Sequence, residues 1–168
     1  MAFRICAFLL LTAFGSNAAA QTLPPMAETA NLSGPRFGVT ALSQSIVDGL
    51  ARRGIHLRPS ITQFGWQWER QFYTKDSGAT MVTEFVGLLG GLEQSIAIPS
   101  LNWLVGIRTR DGAEFGLGPN LSPGGFAIVF AAGITFRTRA FNVPLNVAVV
   151  PSRSGNRVSV LTGFSLRR

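Results

Sequence analysis

From Gln63 to Thr74 the chain reads QFGWQWERQFYT, with Phe64, Trp66, Trp68 and Phe72 on one parity and Gln63, Gln67, Glu69 and Gln71 on the other. A period of two is that of a half-buried β-strand, not of a helix. The pattern continues almost to the end of the chain and predicts strands at 35–42, 61–74, 79–89, 100–110, 113–121, 125–138, 142–151 and 157–167. Several have the ~9–11 residues that a tilted strand needs to cross a bilayer, and eight is an even number, as bacterial single-chain barrels require. EQSIAIP, 93–99, fits either a strand extension or a loop. The stretch SQSIVDGLARRG breaks the rule, with Ser43 or Ser45 as an N-cap, Ile46, Val47 and Leu50 on one face, and Gly54 as the stop. It predicts one short helix, at 43–54, in the first long loop.

Each hairpin must return with the same face outward, so the connections test the pattern. Pairing Ile107 with Phe115 requires the three-residue loop Arg110-Asp111-Gly112, with glycine at its left-handed position. That register sets Arg108 opposite Glu114 and Gly106 opposite Gly116. A loop at Thr138 to Phe141 then matches Phe136 and Ile134 with Val143 and Leu145, and a turn at Ser152 to Gly155 brings Val149 to Val158. The fold expected is all-β, an antiparallel up-and-down barrel of about eight strands.

One face of this barrel carries Phe, Trp, Val, Leu and Ile, and the other mostly Gln, Asn, Ser, Ala and Gly. Trp66 and Trp68 are expected to face lipid, and Gln67 and Glu69 the lumen. Glu69, Arg108, Glu114 and Arg137 are expected to form a lumen charge network, because buried charges must be paired. An eight-stranded interior holds side chains or one small ligand, so the network is read as filling and stiffening, with a gate or ligand site as the alternative. Gln63, Gln67, Gln71 and Arg137 are long enough to offset the volume missing at Gly106, Gly116, Gly118 and Gly133. TMVTEFVGLLG resists the scheme: either Glu84 or Phe85 is expected on the wrong side, and the outward face of 79–89 stays open.

Composition favours the membrane. Charged residues are 14% of the sequence against a typical ~25%. Lys75 is the only lysine, whereas a soluble β-protein covers its outer face and edges with Lys and Glu. The chain opens MAFRICAFLLLTAFGSNAAAQT, with Arg4 as a positive start, an apolar run from Ile5 to Phe14, and Ala18 and Ala20 as an A-x-A cleavage site. This predicts a signal peptide at 1–20, a flexible lead-in at 21–34 (QTLPPMAETANLSG) and a barrel domain at 35–168. Cys6 leaves with the signal, so no thiol or disulfide chemistry is expected. Without Arg4 the exported part has 14 basic and 8 acidic residues, a net charge of +6. Export and the dispersion of the arginines argue against nucleic acid as a partner.

The stretches GPRFGVT, QFGWQWE, GLGPNLS and NVAVVPSRSGNRVSVLTGF resemble a group of short exported bacterial proteins. The exported portion as a whole resembles the small eight-stranded outer-membrane barrels of Gram-negative bacteria, the group of outer membrane proteins A and X. The resemblance covers roughly residues 34–168 and has no catalytic motif. It implies a cell outer-membrane location, outer-membrane lipid as surroundings and an envelope or surface protein as partner. One departure is the end, where SLRR follows Phe164 in place of a terminal aromatic.

Candidate chemistry is sparse. His56 is the only histidine, with Ser43, Ser45, Ser60 and Asp48 near it in sequence. An outer-membrane lipid-modifying enzyme would use such a His with a Ser and a carboxylate, but the spacing matches no catalytic pattern. GLGPNLSPGG lacks the strand-to-helix context of a phosphate cradle. One His and no exported Cys leave few ligands for a transition metal, and no cofactor is expected. The function expected is a non-enzymatic outer-membrane barrel with a structural or surface-interaction role, not a general porin. The alternatives are a soluble, periplasmic or secreted lipocalin-like lipid-binding barrel, and the lipid-modifying enzyme using His56.

Overall fold

The computed structural model describes residues 30–166. The expected signal peptide at 1–20, residues 21–29 of the expected lead-in and the last two arginines lie outside them. The elements run β1 (Gly34–Leu42), α1 (Gln44–Ala51), β2 (Ser60–Thr74), β3 (Thr80–Gly90), β4 (Ile98–Arg108), β5 (Ala113–Ser122), β6 (Gly125–Arg137), β7 (Phe141–Val150), β8 (Arg157–Gly163) and β9 (Ser165–Leu166). Every neighbouring pair is antiparallel. β1 pairs with both β2 and β8, and β6 with both β5 and β7, so the sheet closes on itself. β9 continues β8 along β7 in the same register, Phe141 opposite Leu166 and Leu145 opposite Thr162. The result is a closed eight-stranded barrel with one short helix, after β1. Closure removes the edges that an open sheet would have to protect.

The expected hairpins form. Ile107 faces Phe115, Arg108 faces Glu114 and Gly106 faces Gly116. Thr109 N donates to Ala113 O at 2.7 Å, closing the loop over Arg110-Asp111-Gly112. Gly112 has φ +87°, a conformation strained for any residue with a Cβ. Phe136 meets Val143 and Val149 meets Val158 as expected. EQSIAIP divides between the two readings: Leu92–Gln94 form a single 3-10 turn, and only Ile98 and Pro99 extend the strand, which begins at Ile98. Glu93 in that turn accepts bonds from the Thr62 hydroxyl and, at 2.9 Å, the Thr62 amide, which draw its carboxyl down to about 2.

The helix is shorter than expected. After Ala51 the chain tightens, with Gly54 N bonding to Ala51 O and Ile55 N to Leu50 O, and Gly54 at φ +79° turns it away. This is the glycine stop the sequence carries, preceded by a final turn that is no longer α-helical. Ser43 is the N-cap, but its hydroxyl makes no cap bond and instead accepts from Asn156 N at 3.1 Å, tying the helix to the β7–β8 connection.

β3 corrects the sequence reading. Glu84 is buried and Phe85 exposed, so neither points the wrong way: consecutive strand residues face opposite sides. What misled was the company of Glu84. Val82, Val86 and Leu88 share its inward parity, while the outward parity includes Thr83 and Gly87.

Thr83 has a specific task on the outer face. Its Oγ1 accepts the Trp103 indole N–H at 2.8 Å and donates to Leu104 O at 3.3 Å, so the indole N–H and the hydroxyl are both satisfied without water. Thr83→Val keeps the shape and removes the acceptor. Refolding into lipid vesicles and measuring urea unfolding is expected to show a loss of about 1–3 kcal/mol, the cost of an unpaired donor in an apolar medium.

Candidate functional site

Inside the barrel the side chains form layers. At the end where the N-terminal segment enters, Arg108 is 1% exposed and Glu69 4%. Arg108 Nη1 donates to Glu69 Oε1 at 2.8 Å and Nη2 to Glu69 Oε2, a two-pronged pairing from β4 over the inner face of β3 to β2. Arg108 Nε donates to Glu114 Oε2 at 2.9 Å, as their opposed positions on β4 and β5 dictate. Glu84 Oε1 stands 3.6 Å from Arg108 Nη2. Arg36, also buried, donates from Nε to Gln67 Oε1 at 2.9 Å, and its Nη2 reaches Leu32 O.

Glu69, Arg108, Glu114 and Arg137 are the residues expected to form the network. The structure brings the first three together and adds Glu84 and Arg36. Arg137 ends β6 opposite Asn142, half-buried, and the three ion pairs of Arg108 are with Glu69, Glu84 and Glu114. Arg36 was legible: in PRFGVTAL it shares a parity with Thr40 and opposes Phe37 and Val39. The cluster sets two arginines against three glutamates, all on inward positions.

Residues 30–33 fit into this end of the barrel. Leu32 is 1% exposed. Arg108 Nη1 donates to Ala30 O at 2.8 Å and Gln71 Nε2 to the same oxygen at 2.9 Å, while Glu69 N donates to Ser33 Oγ at 2.9 Å. The end of the lead-in is therefore held by the same charged groups that fill the lumen.

Above the charges lies an apolar belt of Val86, Leu88, Leu104, Val129, Val150 and Leu161. Two of the volume-poor glycines are covered here: Leu104 lies against Gly116, and the Asn146 side chain occupies the space a Cβ at Gly133 would need. The void left at mid-height is about 60 Å³, room for a few waters. Higher still, neutral polar groups bond to one another, Thr40 with Ser159 at 2.7 Å and Asn120 with Asn102 at 2.7 Å.

The candidate catalytic set is not assembled. His56 is exposed in the connection after α1 and Ser60 is exposed at the start of β2. Ser43 bonds Ser45 and Asn156, and Asp48 accepts from Gln44. Among the described residues no three His, Cys, Asp or Glu side chains are grouped to hold a metal. No described helix is long and apolar enough to cross a membrane.

No family model and no curated protein matches this sequence. Among solved structures, the chain is similar to Ail, the attachment invasion locus protein of Yersinia pestis, solved in complex with the heparin analogue sucrose octasulfate. The identity is 12% over 83% of this chain and 100% of that one, with a TM-score of 0.32. The barrel assignment rests on the strand ladder of this chain itself.

Proposed function

We propose that this chain is an outer-membrane β-barrel protein with a closed lumen and a structural or surface-interaction role, and that it is neither a general porin nor an enzyme. The observation that carries the reading is the inversion of its faces. Among the described residues thirty large apolar side chains are exposed, against eleven buried hydrophobic residues, while Arg36, Glu69, Glu84, Arg108 and Glu114 are inside. On the outward positions of the strands the only charged side chain is Arg70, near the end of β2. In water such a surface would associate; in a bilayer it is the expected one.

The connections set the orientation. One end carries 75–79, 109–112 and 138–140 together with the entering N-terminal segment; the other carries 43–59, 91–97, 123–124 and 151–156. Barrels of this class keep short turns on the periplasmic side and longer loops outside. The helix end therefore faces the exterior and is the surface available to a partner. The soluble carrier reading requires an apolar ligand chamber enclosed in the body of the barrel beneath a polar outer face, whereas here the belt leaves a void of only about 60 Å³ and the outer face is apolar. The enzyme reading requires a base within hydrogen-bond reach of a nucleophile. His56 lies exposed while Ser43 and Asp48 bond to other groups.

The test is fractionation with electrophoresis and planar-bilayer recording. The mature protein is expected in the outer-membrane fraction, with a gel mobility that changes on boiling in detergent and no stable nanosiemens steps. A soluble periplasmic protein without a mobility change would refute the membrane reading, and large stable steps would refute the closed lumen.

A further inference from the structure

At the helix end the barrel mouth widens into a cup of about 480 Å³, within the range of small-molecule sites. One stretch of its wall is apolar, with Ile46 and Leu50 from α1, Ile61 at the start of β2, and Ile96 and Ile98 from the β3–β4 connection and the start of β4, while Thr40, Gln63 and several serines supply neutral polar groups on the rest. Its charges are all of one sign. Arg157 reaches across the lumen from the start of β8, while Arg52 and Arg53 line the side below the helix C-terminus, and no carboxylate is among the lining residues.

Arg157 is the informative group. It is half-buried, and its guanidinium is positioned by neutral acceptors, Nη1 on Ser122 Oγ at 2.9 Å and Nη2 on Asn120 Oδ1. The other buried arginine cluster shows the contrast, since Arg108 pairs with three carboxylates. An arginine in a partly dry chamber, oriented by hydrogen bonds but with its charge uncompensated by the walls, matches an anion arriving from outside. The apolar stretch of wall selects an anion with a hydrocarbon body over an inorganic one.

We infer that the cup is a binding site for a small apolar carboxylate, of the size of a medium-chain fatty acid, with its carboxylate on Arg157 and its chain along Ile46, Leu50, Ile61 and Ile98. The rim offers a way in. The connection between β5 and β6 is the two-residue turn 123–124, while its neighbours at that end are 91–97 and 151–156, so the wall is lowest there. Phe126, 70% exposed, lies just below this notch on the outer face, where an amphiphile leaving the membrane would pass. The site itself is built from the mouth alone; only this route into it rests on the membrane reading.

Decanoate is the probe, titrated calorimetrically into the full mature protein in zwitterionic nanodiscs, with empty discs subtracted. Decyltrimethylammonium and decanol, of the same chain length, serve as controls. Expected is saturable binding of decanoate at one per barrel, with both controls at least about tenfold weaker, the scale of one charge-assisted hydrogen bond. Arg157→Gln and, separately, Leu50→Glu are each expected to weaken decanoate about tenfold. Arg52→Ala with Arg53→Ala should weaken it a few-fold, through the field at the mouth alone. Because Arg157 bonds two strand side chains, the boiling-dependent gel shift confirms that each variant is folded. No saturable binding, equal binding of the cationic or neutral probe, or unchanged affinity in the folded Arg157→Gln and Leu50→Glu variants would each overturn the site.

Discussion

Arg108→Ala is expected to destabilise the refolded barrel by about 3–5 kcal/mol, the scale of leaving a buried carboxylate without its partner. The effect is large because one guanidinium serves Glu69 with two bonds, Glu114 with one, and the carbonyl of Ala30 as well. Removing it leaves Glu69, Glu84 and Glu114 facing one another around a cavity, with Arg36 bonded to Gln67. Urea unfolding in lipid vesicles measures the loss. The cluster predicts strong non-additivity: Arg108→Met combined with Glu69→Gln and Glu114→Gln should recover much of the stability, because Glu84 and Arg36 then remain as one charge of each sign in an otherwise neutral layer. A cost below about 1 kcal/mol for Arg108→Ala would mean that the charges are solvated and the end of the lumen open.

The second large effect is expected on the outer face. Val147 is exposed in the middle of β7, between Ala132 of β6 and Val160 of β8. Val147→Arg is expected to cost about 2–4 kcal/mol in lipid, the range for a cation near the bilayer midplane of a barrel. The same change on a water-exposed strand would stay within about ±0.5 kcal/mol. Arg70 provides the internal control. It stands three residues beyond Gln67, the partner of the first residue of β1, towards the short-turn end where a cation can reach the interface. Arg70→Leu is accordingly expected to change stability by no more than about 1 kcal/mol. A neutral Val147→Arg would refute the membrane-facing assignment without touching the barrel fold.

The alternation of QFGWQWERQFYT and its counterparts determined the strands, the inward and outward faces of all but β3, and three successive hairpins. These are local properties: the pleat repeats every two residues, and a short loop allows one register in which both faces agree. Gly112 and Gly54 marked their turns because only glycine takes positive φ there without strain. The opposition of Arg108 and Glu114 was legible for the same reason, being a consequence of the three-residue loop Arg110-Asp111-Gly112. Tertiary structure alone decided what met inside the lumen. That Arg108 reaches Glu69 depends on β2, β3 and β4 pairing in one register and curving around the lumen, which no segment encodes by itself. The entry of Ala30 and Leu32 among the charges was equally invisible, since a stretch without periodicity carries no sign of where it docks. β3 shows the limit most clearly. Its inward Val82, Val86 and Leu88 look misplaced beside Glu84 until closure sets Val86 and Leu88 in an apolar belt with Val129, Val150 and Leu161, from strands far away in sequence. The cup at the mouth arises the same way, because Ile46, Ile96 and Arg157 share it only once α1 and two distant connections converge over one opening.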